Sequence, residues 1–279
     1  MMRLKQIIAT RKHLHPLVFG VVHLDALPGS PNSQSSLKQI TTKACGEAEL
    51  YAKYGLDGII VENTNDLPYV GPGQCGPETV ASMTMVSCAV RSAVGKRPLL
   101  GVQILCAQNR EALATSLAAD FDFVRVEGYT FAHVADEGFV NSCAADLLRY
   151  RNNVGANHVS VLADIKKKHC SHAITSDVSL RETAEAAEFM LSDGVVITGS
   201  KTGSPPTAED LNEVLTSVKL SVFVGSGINL TNWKNFVKAH GWIIGSYFKK
   251  NGFWQNDIDE HNLKTFMNSI RQERQINAD

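Results

Sequence analysis

Eight short apolar runs recur along the chain, and between them the hydrophobic positions fall at every third or fourth residue. The runs are GVVH at 20–23, GIIVE at 58–62, LGVQIL at 100–105, FVRVE at 123–127, VSVLAD at 159–164, GVVIT at 194–198, VFVGSG at 222–227 and WIIGS at 242–246. Each has the length of a strand, and near-continuous Val, Ile and Leu marks strands covered on both faces. The intervening segments predict helices. Leu37, Ile40, Ala44, Ala48 and Tyr51 keep one apolar face over residues 36–54, which Gly55 ends. The segment from Pro77 to Val94 opens with Pro and Glu and stops before Gly95. Further helices are expected from Asn109 as N-cap to Ala119, over 138–153, over 180–192, from Thr207 with Asp210 as a capping-box variant, from Thr231, and over 258–274.

The strands recur about 20–40 residues apart with no linker or compositional break. Helical crossovers between parallel strands are right-handed, so eight such units predict an α/β fold, a single (β/α)8 TIM barrel. The barrel occupies residues 17–279, and residues 1–16 either cap its floor or form a short leader.

Bulk composition narrows the partners. A net charge of -1 gives no drive toward a nucleic acid polymer or an anionic membrane, and no apolar stretch reaches a membrane span. The six cysteines lack CxxC spacing and read as reduced thiols. Residues 1–16 carry Arg3, Lys5, Arg11 and Lys12 without an acid, so a mitochondrial location stands as the alternative to a cytoplasmic one.

Side chains along a strand alternate, so Arg125 with Glu127, and Asp164 with Lys166, are expected to share the inner face at strand ends. Glu62 ends the second strand; His23 ends the first, with Asp25 two positions on. Charges converging there oppose stability unless paired or employed. Asp164, Lys166, Glu62 and Glu127 are the expected catalytic groups, with His23, Asp25, Asn63, Asp66, Arg125, His169 and Lys201 binding substrate. Glycines follow the last two strands at Gly225, Gly227 and Gly245, beside Ser226 and Ser246, where barrels commonly hold a phosphate. The loop after the sixth strand, ending in Gly203, adds hydroxyls and Lys201 to that anion site. Two long segments, 25–36 and 63–78, read as loops over the mouth.

Together VVHLDALPGSP at 21–31, VENTNDLPY at 61–69, ADIKKKH at 163–169, VVITGSKTG at 195–203, VFVGSGI at 222–228 and IIGSYFKKNG at 243–252 resemble the BtpA/SgcQ family, across about residues 17–270. The resemblance implies a phosphate-binding type of TIM barrel and, for phototrophs, a link to photosystem I biogenesis. The chain departs from the family pattern at VRVEGYT in the fourth strand and at the triple lysine 166–168.

The expected function is an enzyme acting on a small phosphorylated metabolite, a sugar phosphate or nucleotide-like compound, by acid/base chemistry at the mouth. Lyase, isomerase and hydrolase reactions all remain open. A nucleosidase using two of Glu62, Glu127 and Asp164 is one alternative. A Schiff base on Lys201 is another, and a non-enzymatic assembly factor that keeps the ligand site is a third. No cofactor is evident; His169 and His172 offer only a weak pair for a divalent metal, and a homo-oligomer is left open.

Overall fold

The computed structural model describes residues 2–11, 16–199 and 203–276. Eight parallel strands close into a barrel: β1 (Leu17–His23), β2 (Gly58–Glu62), β3 (Leu99–Gln103), β4 (Phe123–Val126), β7 (Ser160–Ile165), β9 (Gly194–Ile197), β10 (Ser221–Val224) and β11 (Gly241–Ile244), in that circular order. All eight apolar runs lie in these strands or at their ends. Three short strands, β5 (His133–Ala135), β6 (Gly138–Val140) and β8 (Cys170–Ser171), form a separate antiparallel sheet from the loops after β4 and β7.

Most expected helices form with ends within three residues of expectation. They include α2 (Leu37–Lys53), α3 (Pro77–Val94), α6 (Leu180–Phe189) and α7 (Ala208–Ser217), the last with the Thr207–Asp210 capping box in place. Three expectations change. Residues 138–140 are strand, because Gly138 turns a hairpin at φ 103°, and α5 (Ala144–Asn153) begins after it. The segment from Thr231 is a 3-10 turn at Trp233–Phe236 rather than an α-helix. Asn229 Oδ1 there accepts both the backbone N–H and the hydroxyl of Thr231, closing the loop on itself. Asn109 is the first residue of α4 (Asn109–Ala118) and not its cap; its amide clamps the Glu127 backbone, donating to the carbonyl at 2.7 Å.

The barrel interior is packed by ring against glycine. In register, Phe19 faces Gly58, Phe123 faces Gly101 and Phe223 faces Gly241. The rings of Phe19 and Phe123 meet edge-on at 5.5 Å, and Phe19 and Phe223 at 5.8 Å. A Cβ on Gly101 would stand 2.2 Å from the Phe123 ring, so Gly101→Ala is expected to destabilise by about 1–3 kcal/mol through overpacking. Adding Phe123→Leu to that variant recovers part of the loss, as denaturant titration of the pair and both singles would register.

Helix α1 (Arg3–Thr10) lies under the barrel. Its Leu4 is 1% exposed and joins Leu17, Phe19, Leu99 and Phe123 in the interior cluster. Three aspartates, each just before a strand, bind this helix to the floor. Asp57, Asp122 and Asp193 accept the backbone N–H of Val18, Leu100 and Val161 at 2.9, 2.8 and 2.8 Å. Each also takes one cation from the N-terminal segment (Arg11, Arg3, Lys5) and one from a barrel helix (Arg274, Arg91, Arg151).

Candidate active site at the barrel mouth

A cavity of about 660 Å³ opens at the C-terminal ends of the barrel strands. Its centre is a buried ion-pair array. Arg125, on β4, donates through Nε to Asp164 at 3.0 Å and through Nη1 to Glu62 at 3.3 Å. Burial outweighs the guanidinium, so both carboxyls sit above the ordinary carboxylate range. Glu127 behaves oppositely. Burial alone would raise it, but Lys167 at 2.8 Å and the Ala107 N–H at 2.9 Å pull it below its usual value. The mouth thus holds two carboxyls raised by burial and one lowered by its lysine partner, environments that push their values apart.

His23 lines the cavity at the end of β1, its ring 5.9 Å from Trp254. Burial, and then the charges of Lys249, Lys168 and Arg125, push its pKa well down, so the imidazole is neutral. Its Nδ1 and the Thr198 hydroxyl are buried without a hydrogen-bond partner among the described residues. Both belong to residues that line the mouth, where a ligand can satisfy them.

The lysine run rearranges the expected fifth-strand pair. β7 ends at Ile165, and Lys166 takes a left-handed φ of 46°, so the alternation that would align it with Asp164 stops there. Lys166 does not line the mouth; its ammonium donates to the Thr175 carbonyl at 2.9 Å. Lys167 and Lys168 face the cavity instead. Sequence reasoning missed both, although the departure at the triple lysine marked the place. Lys168 donates to Ser226 Oγ at 3.2 Å, and the Gly203 N–H donates to the same oxygen at 3.2 Å. No carboxylate lies within ion-pair distance of Lys168 among the described residues. Burial, then Arg125, lowers its pKa to about 8.

Gly225, Gly227, Gly245 and Ser246 also line the cavity. Packing accounts for these glycines on its own: Gly227 has φ +72°, and a Cβ there would meet Pro205 at 2.2 Å. His169 lines the mouth as well. Asp25, Asn63 and Asp66 are not among the residues that line it. Asp25 pairs with Lys43 at 2.7 Å. Asn63 donates to Asp66 at 3.0 Å and accepts from Leu105 N at 2.7 Å, while Asp66 accepts from Leu27 N at 2.6 Å. These residues fasten segment 25–36 behind segment 63–78, and only the latter, through Thr64, Leu67, Pro68 and Tyr69, reaches the cavity. Lys201 lies outside the described residues. His172 turns to the Lys167 carbonyl at 2.9 Å, its ring 5.6 Å from that of His133. Among the described residues no group of three His, Cys, Asp or Glu is placed to hold a metal ion, and no helix is long and apolar enough to cross a membrane.

A model of the BtpA family matches residues 14–272. A Caenorhabditis elegans protein designated mitochondrial is 46% identical over 258 residues, covering 91% of this chain and 93% of its own length. The photosystem I biogenesis protein BtpA of Synechocystis is 33% identical over 259 residues, covering 92% of this chain and 88% of its own. Among solved structures, orotidine 5'-monophosphate decarboxylase of Methanocaldococcus jannaschii, complexed with the inhibitor BMP, superposes with TM-score 0.58 at 14% identity. The superposition covers 91% of this chain and 98% of the decarboxylase and describes a shared TIM-barrel fold.

Proposed function

This chain belongs to the BtpA family, and on that premise we propose that it is an enzyme acting on a small phosphorylated metabolite, a sugar phosphate or nucleotide-like compound, at the barrel mouth. One observation carries the reading: the half-buried Lys168 ammonium, with no carboxylate in ion-pair reach among the described residues, converges with the Gly203 N–H on Ser226 Oγ. A cation, a hydroxyl and a backbone N–H meeting where barrels hold anions form a phosphate cradle. Decarboxylase chemistry on orotidine 5'-monophosphate in a neighbour of the same fold is consistent with such a cradle.

From the cradle, the body of the substrate reaches the carboxylate array. Glu62 or Asp164, raised by burial, delivers a proton to the reacting atom, and Arg125 steadies the negative charge left on whichever carboxyl gives it up. Glu127, kept ionised by Lys167, serves as the base or as a fixed negative charge facing a developing cation. The neutral His23 accepts or donates a hydrogen bond to a substrate hydroxyl. We place the protein in the cytoplasm, with the mitochondrion as the alternative that the nematode relative supports.

A thermal-shift screen against inorganic phosphate, sugar phosphates and nucleotides tests the reading, since a ligand of the folded state raises its stability by mass action. At least one phosphorylated compound is expected to raise the melting temperature, and Ser226→Asp, which sets a negative charge in the cradle, is expected to remove the shift. No shift from any of them at millimolar concentration overturns the phosphate reading and turns attention to an assembly role.

A further inference from the structure

The circular strand order puts the phosphate cradle and an apolar wall on opposite sides of the same cavity. The cradle comes from the loops after β9 and β10, which carry Gly203 and Ser226. Counting around the eight strands, β9 faces β2 across the barrel, and β10 faces β3. The loops after β2 and β3 contribute Leu67, Pro68, Tyr69 and Leu105 to the cavity lining. Leu67 is 39% exposed, an apolar surface that nothing in the described chain covers. Tyr69 is fixed as a wall because its hydroxyl donates to the Thr64 carbonyl at 2.6 Å. Trp254 adds a second aromatic surface beside β1, next to β2. Between cradle and wall lie Glu62, Arg125 and Asp164.

We infer that the occupant of this cavity is a nucleoside 5'-monophosphate or a close analogue, its phosphate at Ser226 and Lys168 and its planar base against Tyr69 and Leu67. The inference rests on the phosphate reading above and names its substrate class. A bare sugar phosphate is polar at every position and would fill the cradle and the charged centre only. It would leave the apolar wall wet and much of a 660 Å³ cavity unused. A nucleotide matches the lining in sequence: anion at the cradle, hydroxyls at the carboxylate–arginine centre, and a flat apolar face at the far wall. Stacking on an aromatic tolerates any base, so the choice among bases falls to polar groups at that side. Gln103, at the end of β3, and Asp136 and Glu137, on the β5–β6 turn, offer an amide and two acceptors there. Those acceptors favour a base that carries an exocyclic amino group.

Titration calorimetry with AMP, GMP, CMP, UMP, ribose 5-phosphate and inorganic phosphate on the full chain decides the matter. At least one nucleotide is expected to bind about tenfold or more tightly than ribose 5-phosphate, from stacking that the sugar phosphate cannot make. Tyr69→Ala and Leu67→Ala are each expected to shrink that ratio; Leu67, being partly exposed, keeps the test valid if the tyrosine variant fails to fold. Ribose 5-phosphate binding as tightly as every nucleotide overturns the inference while the phosphate reading stands. So does a ratio that survives both variants. Failure of all six probes to bind removes the inference and the phosphate reading together.

Discussion

Arg125→Leu is expected to lower the unfolding free energy by about 3–5 kcal/mol at neutral pH, the usual cost of removing one partner from a buried ion pair. Two carboxylates depend on this guanidinium, and both are more than nine-tenths buried. Without it, Glu62 and Asp164 face each other across a site they can share only by taking up protons. The pH dependence carries the signature. In the native chain both carboxyls already sit above their ordinary values, so the folded state binds more protons than the unfolded state, and their contribution weakens as pH rises through that window. Removing Arg125 pushes both values further up. The variant should therefore recover stability steeply on acidification, and urea titrations from pH 5 to pH 8 would show its deficit shrinking toward the acid end. A deficit that stays constant with pH would assign the loss to packing instead.

Lys168→Met is expected to weaken binding of a phosphorylated ligand roughly 10- to 150-fold, the range of a lost charge-assisted hydrogen bond of about 1.5–3 kcal/mol. The native affinity should hold from about pH 6.5, where a phosphate monoester is already a dianion. It should then fall above pH 8 as the ammonium, with its pKa near 8, loses its proton. Lys168→Met removes that alkaline limb, and Lys166→Met, whose parent side chain points to Thr175, leaves it in place. Stability runs the other way. Lysine's ordinary value is 10.5, so between about 8 and that value the unfolded state binds more protons and the native chain gains stability with rising pH. Calorimetry across pH 6.5 to 9.5 separates the two trends, and an affinity that does not change over this range would remove Lys168 from the cradle.

The barrel was legible in the sequence because each strand is buried on both faces and carries no competing pattern. Arg125, Glu127 and Asp164 were legible for a related reason, since a charge near the end of such a run can only point inward. Legibility failed where strand periodicity ended. Lys166 was assigned by alternation one residue past Ile165, and a single left-handed residue handed its place to Lys167 and Lys168. Asn63 and Asp66 looked like mouth groups because they follow a strand end directly. Their short side chains instead bond to each other and to the backbone of the loops after β1 and β3, long-range contacts that only coordinates reveal. The antiparallel sheet of β5, β6 and β8 draws its strands from two loops, so no local pattern announced it.

The three aspartates under the barrel make its base tolerant of wear. Trimming the chain past Arg11 strips one cation from each of Asp57, Asp122 and Asp193, yet Arg274, Arg91 and Arg151 remain to neutralise them. The strands therefore stay joined, and the mouth at the far end keeps its geometry. What the trimmed chain acquires is an uncovered greasy dimple where Leu4 had rested on Leu17 and Phe19. Proteolytic damage at this end should accordingly announce itself as stickiness and self-association well before the mouth is disturbed.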